Sequence, residues 1–393
     1  MLNRYLTRLP NFDLVLGMLL TTGMLFPALL ISPCPAFALS SALPAQQQAT
    51  PPREHFQNVE VIYDWVTSKR GDKLRTFITR PKNARGKVPA IFFVGWLSCD
   101  SMEYPQGETD GFGALMLRLI DQSGYATIRM NKPGVGESGG HCEKTDFQSE
   151  LEGWQAAFDS LSKYSFIDLD RVFVLGLSNG GGFSPLVARQ HPVRGFIPTS
   201  SWGRTWYEHM LELERRRLIS PAHSPAEVNR SVKAFTEFYN LYLVQRMTPG
   251  ERKHSEWKDV WYDAPDGQYG RPAAFYQQLQ DLNLGEVWEK VNVSVLVIYG
   301  NGDTIMSHAD AHAISETVNR VHPDRARFWE IDAMDHLLTV NGKFYDALVP
   351  QILDWIKEQL KNKVNSTNCS TKKYDPPANL SIRPVLGLAM GDR

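Results

Sequence analysis

The sequence predicts an α/β fold with a mostly parallel central sheet of about eight strands, helices on both faces and an inserted helical cap. Apolar strand-like segments alternate with helical patterns, which is typical of a parallel sheet covered on both faces. The length of 393 residues suits one large domain that carries an insertion, or two domains. The strand-like segments are, in chain order, 59–65, 74–80, 90–94, 125–130, 172–175, 195–198, 293–299 and 328–331.

The first two segments flank Lys69-Arg70-Gly71-Asp72, and this turn chemistry predicts a hairpin. An apolar period of 3.6 residues marks an amphipathic helix at 147–161, and helical patterns also cover 112–123 and the region around Trp355. These elements give a predicted domain at 56–361, followed by a loose polar tail at 362–393.

The alternation of strands and helices stops between residues 201 and 284. This stretch is rich in aromatic and charged residues, is mostly helical in character and is too long for a simple loop. We therefore predict an inserted cap at 201–284. In open α/β sheets ligands bind beyond the carboxyl ends of the strands, so the cap is expected to cover the active site. Its aromatic residues are candidates for the pocket lining, namely Trp202, Trp206, Tyr207 and Tyr276.

The N-terminal segment has the order of a secretory signal peptide. Arg4 and Arg8 precede an apolar run at 14–31, and Ala36-Phe37-Ala38 provides a small-residue cleavage site. The sequence thus predicts a signal peptide at 1–38, a linker at 39–55 and a secreted or periplasmic protein. The apolar run is long enough that a retained membrane anchor is the alternative.

Charge and composition argue against several classes of partner. The formal net charge of −1 provides no attraction for nucleic acid, and a membrane is expected as a partner only if the N-terminal segment is retained. We expect no cofactor and no metal. His308 and His312 lie four residues apart, but no metalloprotease glutamate accompanies them, so a solvated helix face is the expected environment.

A nucleophile is predicted in Gly176-Leu177-Ser178-Asn179-Gly180. The motif follows the strand at 172–175 and precedes a helical segment, and in that context the sharp turn lifts the serine hydroxyl out of the sheet. A serine hydroxyl needs a base to become a good nucleophile. The sequence supplies His336 after the last predicted strand and Asp303 after the one before it, in the chain order serine, acid, histidine.

The roles of these residues follow from their chemistry. His336 is expected to accept the proton of Ser178, and Asp303 to orient the imidazole and stabilise the imidazolium. Asp332 and Asp335 are rival acids, but they lie too close to His336 in sequence to reach round its ring easily.

An oxyanion hole requires two backbone amides, which we assign to Asn179 and Trp96. The glycine-rich loop at 131–138 is expected to be architectural. Cys99 and Cys142 follow two strands that should be neighbours, so export to an oxidising compartment would favour a disulfide between them.

Together these motifs resemble the α/β-hydrolase superfamily of serine hydrolases over residues 59–360. Gly-Leu-Ser178-Asn-Gly-Gly looks like the nucleophile elbow, and Asn-Lys-Pro-Gly-Val-Gly-Glu-Ser at 131–138 is similar to a loop often seen as D-x-R-G-x-G-x-S. The elbow is also similar to those of the prolyl-oligopeptidase and dienelactone-hydrolase-like branches.

The resemblance implies an enzyme that cleaves a carboxylic ester through an acyl-enzyme, with a small-molecule ester as substrate. A secreted peptidase of the prolyl-oligopeptidase type, acting on short peptides, is the alternative. Acidic residues that hold a substrate amine would favour the peptidase, and Glu208, Glu212 and Glu214 are the candidates, although Arg215, Arg216 and Arg217 beside them indicate a solvated charged helix. A non-catalytic binding protein on the same fold is the third reading.

Overall fold

The central sheet contains eight strands in the order β1-β2-β4-β3-β5-β6-β7-β8. The computed structural model describes residues 52–108, 110–189, 191–219, 223–247 and 267–361. The strands are β1 (Val59–Thr67), β2 (Lys73–Pro81), β3 (Val88–Val94), β4 (Ala126–Met130), β5 (Ile167–Leu177), β6 (Gly195–Thr199), β7 (Ser294–Gly300) and β8 (Ala326–Ile331), with a small hairpin of β9 (Thr339–Val340) and β10 (Lys343–Phe344).

Strand direction follows from the connections. β1 and β2 form the predicted antiparallel hairpin, β2 is also antiparallel to β4, and every pair from β4 to β8 is parallel. The parallel strands are almost wholly buried because helices cover both faces, which explains their continuous apolar sequence. The predicted mostly parallel eight-stranded sheet is therefore confirmed.

Several strands are longer than their apolar segments. β5 begins at Ile167, whereas the apolar run alone indicated a start at 172. Its first residues include polar side chains, yet the backbone of Ile167 lies in register with Val88 of β3. Pairing with a neighbouring strand thus extends β5 beyond the part that hydrophobic patterning can detect.

The helices that cover the two faces of the sheet form two groups, and further helices lie in the insertion. Their bounds are α1 (Gly111–Gln122), α2 (Phe147–Asp159), α3 (Asn179–Ala188), α4 (Trp206–Leu218), α5 (Pro225–Tyr239), α6 (Ala273–Gln280), α7 (Leu284–Glu289), α8 (His308–Val321) and α9 (Leu348–Lys361). α1 packs against α9, whereas α2, α3, α7 and α8 pack in series. Short helical turns lie at Cys142–Lys144, Ser160–Lys163 and Asn240–Val244.

The segment between β6 and β7 contains α4, α5 and α6 together with α7, so the strand–helix alternation is interrupted where the sequence indicates. Reciprocal capping boxes fix the beginnings of two of these helices. Thr205 and Glu208 cap α4, and Ser224 and Glu227 cap α5. Each box satisfies backbone amides that the first helical turn would otherwise leave unpaired.

The end of the predicted linker requires a correction, because Arg53 and Glu54 belong to the packed part of the chain. Glu54 is 4% exposed, and its carboxylate lies 2.6 Å from the guanidinium of Arg129, which is fully buried. The same carboxylate accepts a hydrogen bond from the Tyr104 amide at 2.7 Å. A polar, proline-containing sequence indicated a linker here, but a buried ion pair fixes the chain.

The predicted disulfide is confirmed. Cys99 follows β3, Cys142 follows β4, and these strands are neighbours in the sheet, so the two sulfurs are bonded with the Cα atoms 6.0 Å apart. The predicted signal peptide and C-terminal tail lie outside the described residues. Within the described ranges, no helix has the length and apolar character needed to cross a bilayer.

The Glu54–Arg129 pair gives a prediction about stability. Replacing Glu54 by Gln leaves the buried guanidinium of Arg129 without a counter-charge, which should lower the free energy of unfolding by about 3–5 kcal/mol. Urea denaturation at 25 °C measures this loss. Asp354→Asn is the control, since it breaks only the exposed Lys357–Asp354 pair and should change the free energy of unfolding by less than about 1 kcal/mol. Equal losses in both variants would contradict the prediction.

Candidate active site

Ser178 occupies a sharp turn between β5 and α3. Its φ of 52° and ψ of −124° are unfavourable for a residue with a side chain. The Ser178 amide donates to the Thr199 carbonyl of β6 at 2.9 Å, which holds the turn against the sheet. A Cβ added at Gly176 would lie 2.4 Å from the backbone of Gly181, and one at Gly180 would lie 2.2 Å from the Gly95 carbonyl. Only glycine fits at these two positions.

A hydrogen-bond chain joins Ser178, His336 and Asp303. The Ser178 hydroxyl lies 3.0 Å from Nε2 of His336, and Nδ1 of His336 lies 2.9 Å from Oδ2 of Asp303. An ionised carboxylate can only accept, so Nδ1 carries the hydrogen and Nε2 is left to accept from the serine hydroxyl. The structure therefore brings together the three residues that the sequence selects.

The carboxylate of Asp303 is fixed by its own turn. Oδ1 accepts from the amides of Ile305 and Met306 at 2.7 and 2.8 Å, and the side chain has no exposed surface. Arg216 of α4 donates to the carbonyls of Asp303 and Ile305 at 3.2 and 2.8 Å. Sequence analysis placed Arg216 on a solvated helix face, but its side chain holds the loop that carries Asp303.

The rival acids are engaged elsewhere. Asp335 accepts from the amide and the hydroxyl of Thr339 at 2.8 and 2.6 Å, and Asp332 accepts from the Asn301 side chain at 3.0 Å. Both therefore stabilise turns, and neither contacts the ring of His336.

Trp96 lies in the loop that follows β3, and Asn179 is the first residue of α3. Among the described residues, neither amide donates to a protein acceptor. The Trp96 ring is stacked on Phe112 with the ring centres 5.4 Å apart, and Phe112 meets the His336 ring edge-on at 5.7 Å. Phe112 was not identified as a site residue from the sequence, because its contact with His336 depends on how α1 docks.

The four aromatic residues proposed as pocket lining require a correction. Trp202 and Tyr276 have no exposed surface, and Trp206 is 2% exposed. Trp206 contacts both other rings, with centres 5.0 Å from Trp202 and 5.7 Å from Tyr276. These three side chains pack the insertion onto the core. Tyr207 is half-buried and donates its hydroxyl hydrogen to the Thr236 carbonyl within the insertion.

A second buried histidine–carboxylate pair attaches α4 to α8. Nδ1 of His209 lies 3.0 Å from Asp310, whose other oxygen accepts from Arg204 at 2.7 Å. Although burial opposes ionisation, His209 and Arg204 hold the pKa of the Asp310 carboxyl well below its usual range. By contrast, His308 and His312 lie on the outer face of α8, near Glu330 and Glu316 respectively.

A groove lined by Ser294, Arg325 and Glu358 lies at the beginning of β7. The candidate site lies at the other end of the parallel strands, so this groove is not part of it.

The strained turn predicts an unusual order of stability. Ser178→Gly relieves the positive φ, whereas Ser178→Ala retains it, so the glycine variant should be more stable by about 1 kcal/mol or more in urea unfolding. At Ser184, in the middle of α3, glycine should instead be less stable than alanine by about 0.5–1 kcal/mol. The same order at both positions would show that the Ser178 turn stores no strain.

Solved structures of other proteins share this fold. An esterase of Pyrococcus furiosus matches with a TM-score of 0.50 and 14% identity, over 78% of this chain and 97% of that chain. Est1E of Butyrivibrio proteoclasticus, solved with ferulic acid bound, matches with a TM-score of 0.50 and 19% identity, over 76% of this chain and 97% of its own. No curated protein sequence matches the chain.

A family model covers most of the domain. The model of the X-Pro dipeptidyl-peptidase (S15 family) matches residues 70–329, which include Ser178 and Asp303 and make up well over half of the chain. His336 lies just beyond the matched range. The chain therefore belongs to the X-Pro dipeptidyl-peptidase (S15) family and is a serine hydrolase of the α/β-hydrolase fold.

Proposed function

We propose that the protein hydrolyses a carboxylic ester through an acyl-enzyme, with Ser178 as nucleophile, His336 as general base and Asp303 as the orienting acid. The observation that carries this proposal is the hydrogen-bond chain Ser178–His336–Asp303, with separations of 3.0 and 2.9 Å. Such a chain supplies the base that an ordinary serine hydroxyl lacks.

The reaction follows from these roles. Nε2 of His336 takes the hydroxyl proton while Ser178 Oγ attacks the ester carbonyl, and the amides of Trp96 and Asn179 stabilise the oxyanion that forms. The C–O bond to the alcohol then breaks, and the imidazolium gives its proton to the departing alkoxide. Water repeats the sequence: it loses a proton to His336, attacks the acyl carbon and releases the acid, and the proton returns to Ser178.

The surroundings favour an uncharged acyl group. Phe112 contacts the His336 ring, and Trp96 is stacked on Phe112; the two rings are only 3% and 5% exposed, so the aromatic wall that they offer is small. Apolar walls with a few convergent polar groups suit an apolar acyl or aryl substituent.

The acidic residues considered for amine recognition already have protein partners. Glu208 caps α4, Glu212 pairs with Arg204, and Glu214 accepts from Arg217 at 2.8 Å. A substrate amine would have to displace these contacts, so none of the three favours an aminoacyl substrate over an ester.

Release of Xaa-Pro dipeptides is the second candidate function, and membership in the S15 family favours it. The two functions use the same triad and differ in the leaving group. A panel of p-nitrophenyl esters and Xaa-Pro p-nitroanilides separates them. Turnover of an Xaa-Pro anilide with a larger kcat/KM than any ester would overturn the ester proposal.

We also propose that residues 1–38 are a signal peptide and that the mature protein is secreted or periplasmic. The Cys99–Cys142 bond supports this placement, since disulfides persist in oxidising compartments. The insertion at 201–284 is proposed as the cap of the mature domain, which would end near residue 361.

Replacing Ser178 by Ala should reduce ester hydrolysis on the order of a millionfold, because the nucleophile is lost. Labelling by a fluorophosphonate should disappear together with p-nitrophenyl ester turnover. Near-wild-type turnover by a purified, folded Ser178→Ala protein would exclude Ser178 as the nucleophile.

Three Asp→Asn variants distinguish the acid of the triad. Asp303→Asn should lower kcat by roughly 10⁴-fold, because the amide stabilises the wrong imidazole tautomer. Asp335→Asn and Asp332→Asn are matched controls that disturb only turns and should lower kcat by less than about tenfold. A large loss in Asp335→Asn with a small loss in Asp303→Asn would reverse the assignment.

A further inference from the structure

Three charged side chains from distant segments meet in the interior beside the disulfide. Lys132 lies in the loop after β4, Glu150 in α2 and Arg271 in the insertion, and none is more than 2% exposed. The guanidinium of Arg271 pairs directly with the Glu150 carboxylate, and Nζ of Lys132 lies 3.8 Å from the same carboxylate. Two buried cations therefore share one anion.

Such an arrangement is costly unless further acceptors satisfy the excess positive charge. The acceptors of Lys132 are backbone carbonyls of the loop after β3. Its ammonium donates to the carbonyl of Trp96 and, at 2.8 Å, to that of Ser98. Sequence analysis assigned the loop at 131–138 a purely architectural role. Its lysine, Lys132, instead contacts the loop after β3, which contains the proposed oxyanion-hole residue Trp96.

We propose that Lys132 is a positioning residue that holds the Trp96 amide in the orientation needed to stabilise the oxyanion. This inference rests on the proposed function. The Trp96 amide shares one peptide plane with the Gly95 carbonyl, which lies close to Gly180, and Lys132 binds the Trp96 carbonyl in the next plane. Since peptide planes are rigid, fixing the planes on each side of Trp96 leaves its amide little freedom.

Arg271 of the insertion contacts the disulfide that holds the loop after β3. Nη1 of Arg271 lies 2.6 Å from the sulfur of Cys142 and 3.6 Å from that of Cys99. Arg271 binds Oε2 of Glu150, whereas Oε1 accepts a hydrogen bond from the Trp154 indole at 3.3 Å. The loop is thus restrained by the disulfide at Cys99 and by Lys132 at Trp96 and Ser98.

The environment of Lys132 makes this restraint sensitive to pH. Burial lowers the pKa of the Lys132 ammonium to about 8, the positive charge of Arg271 acts in the same direction, and Glu150 and Asp100 oppose it. Above that pH the ammonium loses its charge, and charge-assisted hydrogen bonds to the two carbonyls weaken. Turnover should therefore decrease as the pH rises, and this alkaline limb of the pH profile should have its midpoint near pH 8.

The contribution of this group to stability has the opposite sign. In the unfolded chain Lys132 stays protonated up to about pH 10.4. Between about pH 8 and pH 10.4 the unfolded state therefore binds more protons than the folded state, so this group makes the protein more stable as the pH rises. Titration of Lys132 itself therefore does not unfold the protein, and circular dichroism over the same pH window distinguishes a local loss of the restraint from global unfolding.

The test uses Lys132→Met in the full-length protein, with the exposed Lys163→Met as a matched control. Lys132→Met should lower kcat for p-nitrophenyl acetate by about tenfold or more, since loss of a whole oxyanion donor costs about 10²–10³. KM should not change, the inhibition constant of a trifluoromethyl ketone should rise by the same factor as kcat falls, and the limb near pH 8 should disappear. Lys163→Met should retain the wild-type values and the limb.

Amide hydrogen exchange of peptides that cover residues 95–102 provides a readout besides activity. Exchange should be faster in Lys132→Met than in the wild type and should accelerate in the wild type above pH 8 beyond the intrinsic chemical rate. Equal kcat, equal inhibition constants and equal exchange in the wild type and Lys132→Met would overturn the positioning role.

If Lys132→Met does not fold, the wild-type pH profile decides the question. A trifluoromethyl ketone whose affinity is constant from pH 7 to pH 10, with constant exchange at 95–102, would overturn the proposal. If the wild type neither hydrolyses the panel nor reacts with a fluorophosphonate, the proposed function fails instead, and the exchange data still determine whether Lys132 holds the loop.

Discussion

The candidate site depends on the sharp turn at Ser178. The turn requires a backbone conformation that a serine does not favour, and it persists because β5 lies between β3 and β6 with its end hydrogen-bonded to Thr199. Glycine at positions 176 and 180 lets the strand, the helix and the neighbouring loop approach without a clash. With the hydroxyl fixed at the carboxyl end of the sheet, the loops after β7 and β8 bring Asp303 and His336 to the same edge.

This shared edge explains why so much of the site was accessible from the sequence. The carboxyl ends of parallel strands lie together whatever the details of packing, so residues just after β5, β7 and β8 meet in space. The positions of Ser178, Asp303 and His336 relative to their strands therefore predicted their contacts. The same reasoning placed Cys99 beside Cys142, since each follows one of two neighbouring strands.

What the sequence could not reveal depends on contacts between remote segments. Arg215, Arg216 and Arg217 are identical in type, and only the packing of α4 against the Asp303 loop makes Arg216 the one that donates to its carbonyls. Glu54 stands in a polar stretch, and its burial follows from the position of Arg129 across the sheet. Aromatic residues of the insertion suggested a pocket, but aromatic content alone does not distinguish a lining from a core.

The contacts of α4 have a consequence for how this enzyme can change over evolution. Here α4 supplies Arg216 to the acid loop and His209 to the buried carboxylate of Asp310, and the insertion also provides Arg271 as the partner of Glu150. A foreign cap grafted onto this sheet would remove both side-chain partners of the buried Asp310 carboxylate and would leave Glu150 paired with Lys132 alone. Exchange of the insertion would therefore require matching changes in the residues that it contacts, so new substrate preferences are expected to arise by substitution within it.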